Sequence, residues 1–210
     1  YKNIFNKESA FIPYGAEPIC EVDSAYLQSF SLKEQDYYLL IARLEPENNI
    51  ETILDGYLIS QYTDRPFIVI GNFENKYGHY LKLKYSNTSI RFVGSIYDKM
   101  ALDSLRHNAR IYFHGHSVGG TNPSLLEAMA CQTFIIAHDN EFNRSVCNEN
   151  ALYFTSKEDV SSLISTYDCG YEMMILQMKQ DSLRVIKENY SWKLIVDSYE
   201  DLFIKTCAGM

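Results

Sequence analysis

The stretch RIYFHGHSVGGTNPSLLEAMA, residues 110–130, decides the fold. It opens with a short apolar run of strand length, continues through a loop with two adjacent glycines, and ends in a segment of helical period. Glycine permits the positive φ angles of a tight loop. Thr121 or Asn122 can cap a helix, and Pro123 suits a first helical turn. The stretch therefore predicts one strand–loop–helix unit of a parallel α/β sheet.

The same alternation extends outward from this unit in both directions. Strands are predicted at residues 37–43, 67–71, 90–94, 110–115, 133–137 and 151–155. Helices are predicted at about 48–61, at 98–107 and 123–130, in an amphipathic stretch up to Tyr85, and over 160–203 with a break at Gly170. Repeated strand–helix units imply right-handed crossovers and a mostly parallel sheet with helices on both faces. The sequence thus predicts one doubly wound α/β domain.

Composition excludes several classes of protein. The 210 residues include 27 acidic and 19 basic side chains, which give a net charge of -8 at pH 7, and no run of Lys or Arg. A net anion repels phosphate backbones, so we expect no nucleic-acid partner. No window of about 18 apolar residues could span a bilayer. The five scattered cysteines lack a CxxC pair or a histidine cluster, which favours reduced thiols in the cytoplasm over a metal site or disulfides.

The glycine loop is the predicted ligand site. Ligands of parallel α/β sheets bind outside the carboxyl ends of the strands. Free N–H groups at a helix start can bind a phosphate or a carboxylate without a cationic side chain. Glu127, one turn into the predicted helix, could accept hydrogen bonds from two vicinal hydroxyls. The competing interpretation is a well-capped turn with a solvated Glu127, because short glycine motifs also match by chance.

Two motifs together carry a family resemblance. HGHSVGGTNPSLLEAMA (114–130) and ARLEPENNIETIL (42–54) resemble the C-terminal, donor-binding half of family 4 glycosyltransferases of the GT-B fold. The similarity is greatest to the rhamnosyltransferase-like branch of bacterial O-antigen and capsule gene clusters. FIPYGAE (11–17), IVIG (68–71), RFVGSIYD (91–98) and YSWKLIVDSYEDLF (190–203) resemble further family elements in the same order.

The resemblance implies a domain organisation and a reaction. Residues 1–20 would be a linker from an N-terminal acceptor domain, 21–189 a Rossmann-like nucleotide-sugar-binding domain, and 190–210 a helix that crosses back to the N-terminal domain. The family transfers a sugar with retention of configuration. A hexose from a UDP- or dTDP-sugar would pass to a saccharide acceptor, lipid-linked O-antigen or capsule glycan, at the inner face of the cytoplasmic membrane. The full-length protein could associate peripherally with that membrane. Without the acceptor domain, the 210 residues are expected to bind nucleotide weakly and to transfer no sugar.

The resemblance also assigns roles to individual residues. Arg43 would pair with the diphosphate, because a guanidinium fork meets two phosphate oxygens and stabilises a leaving group. Glu127, the second acid of the family's E-x7-E motif, would bind the ribose hydroxyls, whereas the first acid is replaced by Gly119. Many relatives carry a lysine at the position of Asn48, so here Asn48, Asn49 or a helix N-terminus would contact the phosphates.

The remaining assignments complete the expected donor site. Arg43 and His116 are the candidate catalytic groups. Base, sugar and diphosphate contacts are expected from Ile96, Tyr97, His114, Gly119, Gly120, Thr121, Asn122, Ser124 and Leu125. No metal or other cofactor is expected, because no Asp-x-Asp pair follows a strand.

The sequence bears on two other classes of function. A dinucleotide-dependent oxidoreductase is disfavoured, because the loop after the first strand reads RLEPENN and lacks the GxGxxG fingerprint. A non-catalytic nucleotide- or sugar-binding module stays open, because Gly119 and Asn48 both depart from the commoner enzyme pattern.

Overall fold

The computed structural model describes residues 2–6, 9–167 and 171–208. Six strands form one sheet: β1 (Tyr38–Ile41), β2 (Phe67–Ile70), β3 (Ile90–Gly94), β4 (Ile111–His114), β5 (Ile135–His138) and β6 (Leu152–Phe154). Every neighbouring pair is parallel, and the order across the sheet is β3-β2-β1-β4-β5-β6. This order, which reverses direction between β1 and β4, confirms the predicted doubly wound, Rossmann-like α/β fold.

Helices connect the strands. They are α1 (Lys2–Phe5), α2 (Ala25–Ser29), α3 (Ile50–Ile59), α4 (Lys76–Lys84), α5 (Lys99–Asn108), α6 (Pro123–Ala130), α7 (Glu141–Cys147), α8 (Lys157–Tyr167), α9 (Glu172–Val185) and α10 (Trp192–Ala208). Two 3-10 turns, Pro46–Asn48 and Asn148–Asn150, and a π-helical turn, Ile186–Tyr190, complete the described elements.

Most of these strands and helices were predicted from the sequence, but one helix boundary and three short helices were not. The helix predicted at 48–61 is divided by Asn49, whose φ of 50° ends the 3-10 turn before α3 begins. The short helices α1, α2 and α7 were not predicted, since four to seven residues hold too few periodic positions to reveal a helix. The break predicted at Gly170 lies outside the described residues.

Alternate strand residues build the two layers of the core. Leu39 and Tyr112 point to one face of the sheet, where α5 and α6 cover them. Leu40 and Phe113 point to the other face, against α3 and α8. Full burial of each such side chain contributes roughly 1.5–3 kcal/mol, so the central strands form a rigid base. That base fixes the loops at the carboxyl edge of the sheet.

Candidate functional site

A cleft of about 480 Å³ lies at the carboxyl edge of the sheet, where the loops after β1, β2, β3 and β4 meet the start of α6. This is the edge at which the fold class binds its ligands. Seven of the residues predicted from the sequence line the cleft: Arg43, Ile96, Tyr97, His116, Asn122, Ser124 and Glu127.

Arg43 supplies positive charge to the cleft. It directly follows β1, its side chain is exposed, and it forms no salt bridge with any described residue. Its backbone carbonyl accepts hydrogen bonds from Asn48 Nδ2 at 2.7 Å and from the N–H of Glu45 at 2.9 Å. These bonds hold the backbone of the loop after β1 in a turn. The guanidinium of Arg43 extends from this turn and is available to bind an anion.

Asn48 and Asn49 do not line the cleft, whereas the sequence predicted phosphate contacts from Asn48, from Asn49 or from a helix N-terminus. Asn48 is 1% exposed, and its amide is used by the carbonyl of Arg43. Asn49 donates from Nδ2 to the carbonyl of Gly115 at 2.8 Å. Both side-chain amides therefore donate hydrogen bonds within and between the loops after β1 and β4, and so they stabilise these loops.

The start of α6 is partly capped from within the chain. Asn122 Oδ1 accepts a hydrogen bond from the N–H of Ser124 at 2.9 Å, and the Ser124 hydroxyl shares a hydrogen bond with Tyr112 Oη at 2.7 Å. Leu125 is buried, and its N–H donates to the carbonyl of Asn122 at 3.1 Å. The N–H groups of Ser124 and Leu125 thus begin the helix, and the expected ligand contacts of these two residues stay predictions.

The glycine loop lies at the rim of the cleft. Gly119 has a φ of +116°, and apart from the chain neighbours no described residue has an atom within 4 Å of the position that a Cβ would take on Gly119 or Gly120. Gly120 and Thr121 instead line a neighbouring cavity of about 340 Å³, together with residues 11–14 and Tyr199. The loop is therefore open on its outer side, and the two glycines are not forced by crowding.

Glu127 forms an ion pair that the sequence did not suggest. Its Oε2 accepts a hydrogen bond from Arg106 Nη2 at 2.5 Å. Arg106 also lines the cleft, yet its side chain is only 3% exposed, against 41% for Glu127. Lys99, Asp103 and Arg106 follow one another at helical spacing, which from sequence alone is typical of a solvated salt-bridged face.

The two histidines of the loop after β4 differ in their environments. His114 is 1% exposed, lies outside the cleft, and stacks on His116 with ring centroids 4.4 Å apart. His114 does not line the cleft, and its expected contact with a ligand stays a prediction. Burial, with a smaller contribution from His116, lowers the pKa of His114 well below its ordinary value.

His116 reaches the cleft wall. Burial, and then the charge of Arg43, lowers the pKa of His116 to about 4. The imidazole is neutral at pH 7. The amides of Asn140 and Asn143 both donate to the His116 carbonyl, at 2.9 and 3.0 Å, and hold the backbone in place.

The loop after β3 forms the opposite wall. Ile96 is half-buried and packs against the core, whereas the Tyr97 side chain is 91% exposed. A ligand ring packed between this loop and the rest of the cleft would bury apolar surface of both residues.

The described part of the chain shows no group of candidate metal ligands and no helix suited to span a membrane. No three His, Cys, Asp or Glu side chains among residues 2–6, 9–167 and 171–208 converge as metal ligands. Within the same ranges, no helix combines the length and the apolar character needed to cross a membrane.

Known structures share this fold. HepE (Alr3699) from Anabaena, crystallised with UDP and glucose, superposes with a TM-score of 0.76 at 13% identity, over 87% of this chain and 52% of that one. Sucrose-phosphate synthase from Thermosynechococcus elongatus gives 0.76 at 16% identity, over 95% and 53%. The C-terminal domain of a glycosyl transferase group 1 family protein (LpcC) from Francisella tularensis gives 0.65 at 17% identity, over 86% and 97%.

The chain spans about half the length of HepE and of sucrose-phosphate synthase. At these identities the likeness shows the fold, which is that of one half of a GT-B protein. No curated protein sequence matches the chain significantly. The sequence profile of the family described as "Glycosyl transferases group 1" matches residues 25–166, more than half of the chain. This protein therefore belongs to the glycosyl transferases group 1 family.

Proposed function

We propose that this chain is the donor-binding domain of a retaining glycosyltransferase that uses a UDP- or dTDP-hexose. One observation carries the proposal: the guanidinium of Arg43 and the carboxylate of Glu127 line the same cleft. A cation suits a diphosphate, and a carboxylate suits the vicinal hydroxyls of a ribose. Crystal structures of HepE with UDP and with UDP-glucose add support from the shared fold.

The chemistry follows from where charge develops. When the bond between the sugar and the β-phosphate breaks, negative charge grows on the departing phosphate oxygen. Arg43 would stabilise that charge at the transition state. N–H groups of the loop before α6 would add to it, because the Asn122 side chain leaves residues before Ser124 available. His116, neutral at pH 7, would offer a hydrogen bond to a phosphate or a sugar hydroxyl. No metal ion has a part in the proposed reaction.

The wider assignment rests on the sequence motifs. We place the chain in the rhamnosyltransferase-like branch of family 4, with a lipid-linked O-antigen or capsule saccharide as acceptor at the cytoplasmic membrane face. An N-terminal domain of the intact enzyme would bring the acceptor. The segment 11–17 and α10 suit a junction with it, because Ala16 N–H donates to the Tyr190 carbonyl at 2.8 Å and Phe203 is exposed.

The test is a binding titration. UDP, dTDP and NAD are titrated separately against the chain by calorimetry and by ligand-observed NMR. We expect UDP or dTDP to bind and NAD not to bind. Binding of NAD, or indifference to both nucleoside diphosphates, would contradict the proposal. Glu127→Ala should weaken binding of the nucleoside. Transfer of sugar by the 210 residues alone would contradict the need for an acceptor domain.

A further inference from the structure

Arg106 is a buried charge that contacts the cleft through another residue. It lies on the core side of α5 and is 2% exposed. Side chains of this type are almost never so deeply buried unless they are paired. Its Nη2 donates to Glu127 Oε2 at 2.5 Å, and its Nη1 donates to Asp103 Oδ1 at 3.3 Å. Its Nε is buried without a hydrogen-bond partner among the described residues.

The guanidinium is itself held in place from several sides. Asp103 is paired with Lys99 and accepts a weak hydrogen bond from Cys131 Sγ at 3.7 Å. The backbone carbonyl of Arg106 accepts a hydrogen bond from Thr133 Oγ1 at 2.7 Å. These contacts tie α5 to the end of α6 and to the start of β5, so the position of Arg106 is set by the fold.

Glu127 is the solvent-exposed member of the pair. Its side chain is 41% exposed and lines the cleft, where a glutamate without a partner would sample several rotamers. The bond to Arg106 uses Oε2, while Oε1 has no hydrogen-bond partner among the described residues. The carboxylate is therefore oriented before any ligand arrives, with acceptor capacity left over.

We propose that Arg106 is a positioning residue, which orients the Glu127 carboxylate to accept hydrogen bonds from the hydroxyls of a ribose. The inference rests on the proposed function of the cleft. It predicts that the preference of the protein for a nucleotide with ribose hydroxyls depends on Arg106, although Arg106 itself does not touch the sugar. Groups held by a supporting shell of hydrogen bonds bind more selectively than groups left free.

The experiment compares UDP with 2′,3′-dideoxy-UDP, which lacks both hydroxyls. Affinities for both are measured by calorimetry on the full chain and on the variants Arg106→Met and Glu127→Gln, with Arg184→Met as the matched control. Arg184 pairs with Asp181 on α9, outside the cleft. We expect Arg106→Met to lose about tenfold in affinity for UDP, the size of one charged hydrogen bond, and to keep its affinity for the dideoxy compound.

The other variants distinguish positioning from general structural damage. The double variant Arg106→Met/Glu127→Gln should lose no more preference than either single variant, because the pair acts as a unit. Equal losses for both nucleotides in Arg106→Met, or an unchanged preference, would overturn the inference. If Arg106→Met fails to fold, Arg106→Lys keeps the buried charge but lacks the fork that reaches Asp103 and Glu127 together. It should lose part of the preference, and full wild-type preference would again overturn the inference.

The wild-type chain separates this inference from the proposed function. If it does not bind UDP, the proposed function fails. If it binds UDP without preferring it to the dideoxy compound, the assigned role of Glu127 fails and the role of Arg106 fails with it. A wild-type preference that Glu127→Gln removes and Arg106→Met retains overturns the role of Arg106 alone.

Discussion

The side chain of Asn122 accepts the hydrogen bond that the N–H of Ser124 would otherwise offer to a ligand, at 2.9 Å. Pro123 has no N–H, and the N–H of Leu125 already donates to the carbonyl of Asn122. An anion bound here would therefore meet the N–H groups of the loop before α6 and would not meet those of the first helical turn. The positive end of the helix dipole still acts on it.

Removal of this cap should weaken both the fold and the ligand site. Asn122→Ala is expected to lower the free energy of unfolding by about 1 kcal/mol. It should also lower affinity for UDP, because the start of α6 frays beside the cleft. Thermal unfolding and calorimetry measure the two effects.

A second capping residue provides the control. Asn75 caps α4 in the same way, by accepting from the N–H of Gly78 at 2.7 Å, and does not line the cleft. Asn75→Ala should cost at least as much stability, since Asn75 also donates to the carbonyl of Leu44. It should leave UDP affinity unchanged, and an equal loss of affinity in both variants would refute the local effect.

Arg43 should discriminate between nucleotides by their phosphates. Arg43→Ala is expected to lower affinity for UDP by about tenfold or more, because a charged hydrogen bond to phosphate is lost. Affinity for uridine should be unchanged. Titration of both ligands against this variant and against Arg184→Ala tests the assignment, and equal losses for uridine and UDP would contradict a phosphate role.

The buried histidines make stability depend on pH. Because the pKa of His116 is lowered to about 4 in the folded protein, the unfolded chain binds more protons between about pH 4 and pH 6.5. Stability should therefore fall as the pH drops through that window, by at most about 3 kcal/mol for this residue. His114, whose pKa is also lowered, acts in the same direction.

Thermal unfolding at pH 7 and at pH 5 tests this dependence. The decrease in Tm should be smaller for His116→Gln than for the wild-type chain. His79→Gln, at an exposed histidine, is the control and should reproduce the wild-type decrease. An identical decrease in His116→Gln would show that His116 titrates normally.

Gly119 and Gly120 should respond differently to the same substitution. Gly119→Ala places a Cβ on a residue with φ of +116°, so we expect a loss of stability of about 1 kcal/mol or more. Gly120→Ala should be neutral or slightly stabilising, because its φ is not positive and its surroundings are open. Equal Tm values for the two variants would argue against strain at Gly119.

Local signals explain which parts of the molecule could be predicted. The helix at 123–130 begins and ends where the sequence indicates, because its cap and its proline are neighbours in the chain. The strands follow from buried apolar runs. The placement of Asn48 could not be predicted, because its side chain donates to the Arg43 carbonyl, which only the folded loop brings within reach.

Arg106 illustrates the same limit in the candidate site. Its spacing from Lys99 and Asp103 is typical of a solvated helix face, and only the packing of α5 against α6 buries it beside Glu127. His114 was expected to meet a ligand because it lies at the carboxyl end of a predicted strand, but both faces of β4 are covered and the His114 ring stacks between Tyr112 and His116.

The paired bonds from Asn140 and Asn143 to the His116 carbonyl have a consequence for sequence variation in this protein. They fix the loop after β4, which carries His116, to the amino-terminal turn of α7. Substitutions at residues 139–143 would therefore shift the position of His116 relative to Arg43, although none of these residues lines the cleft.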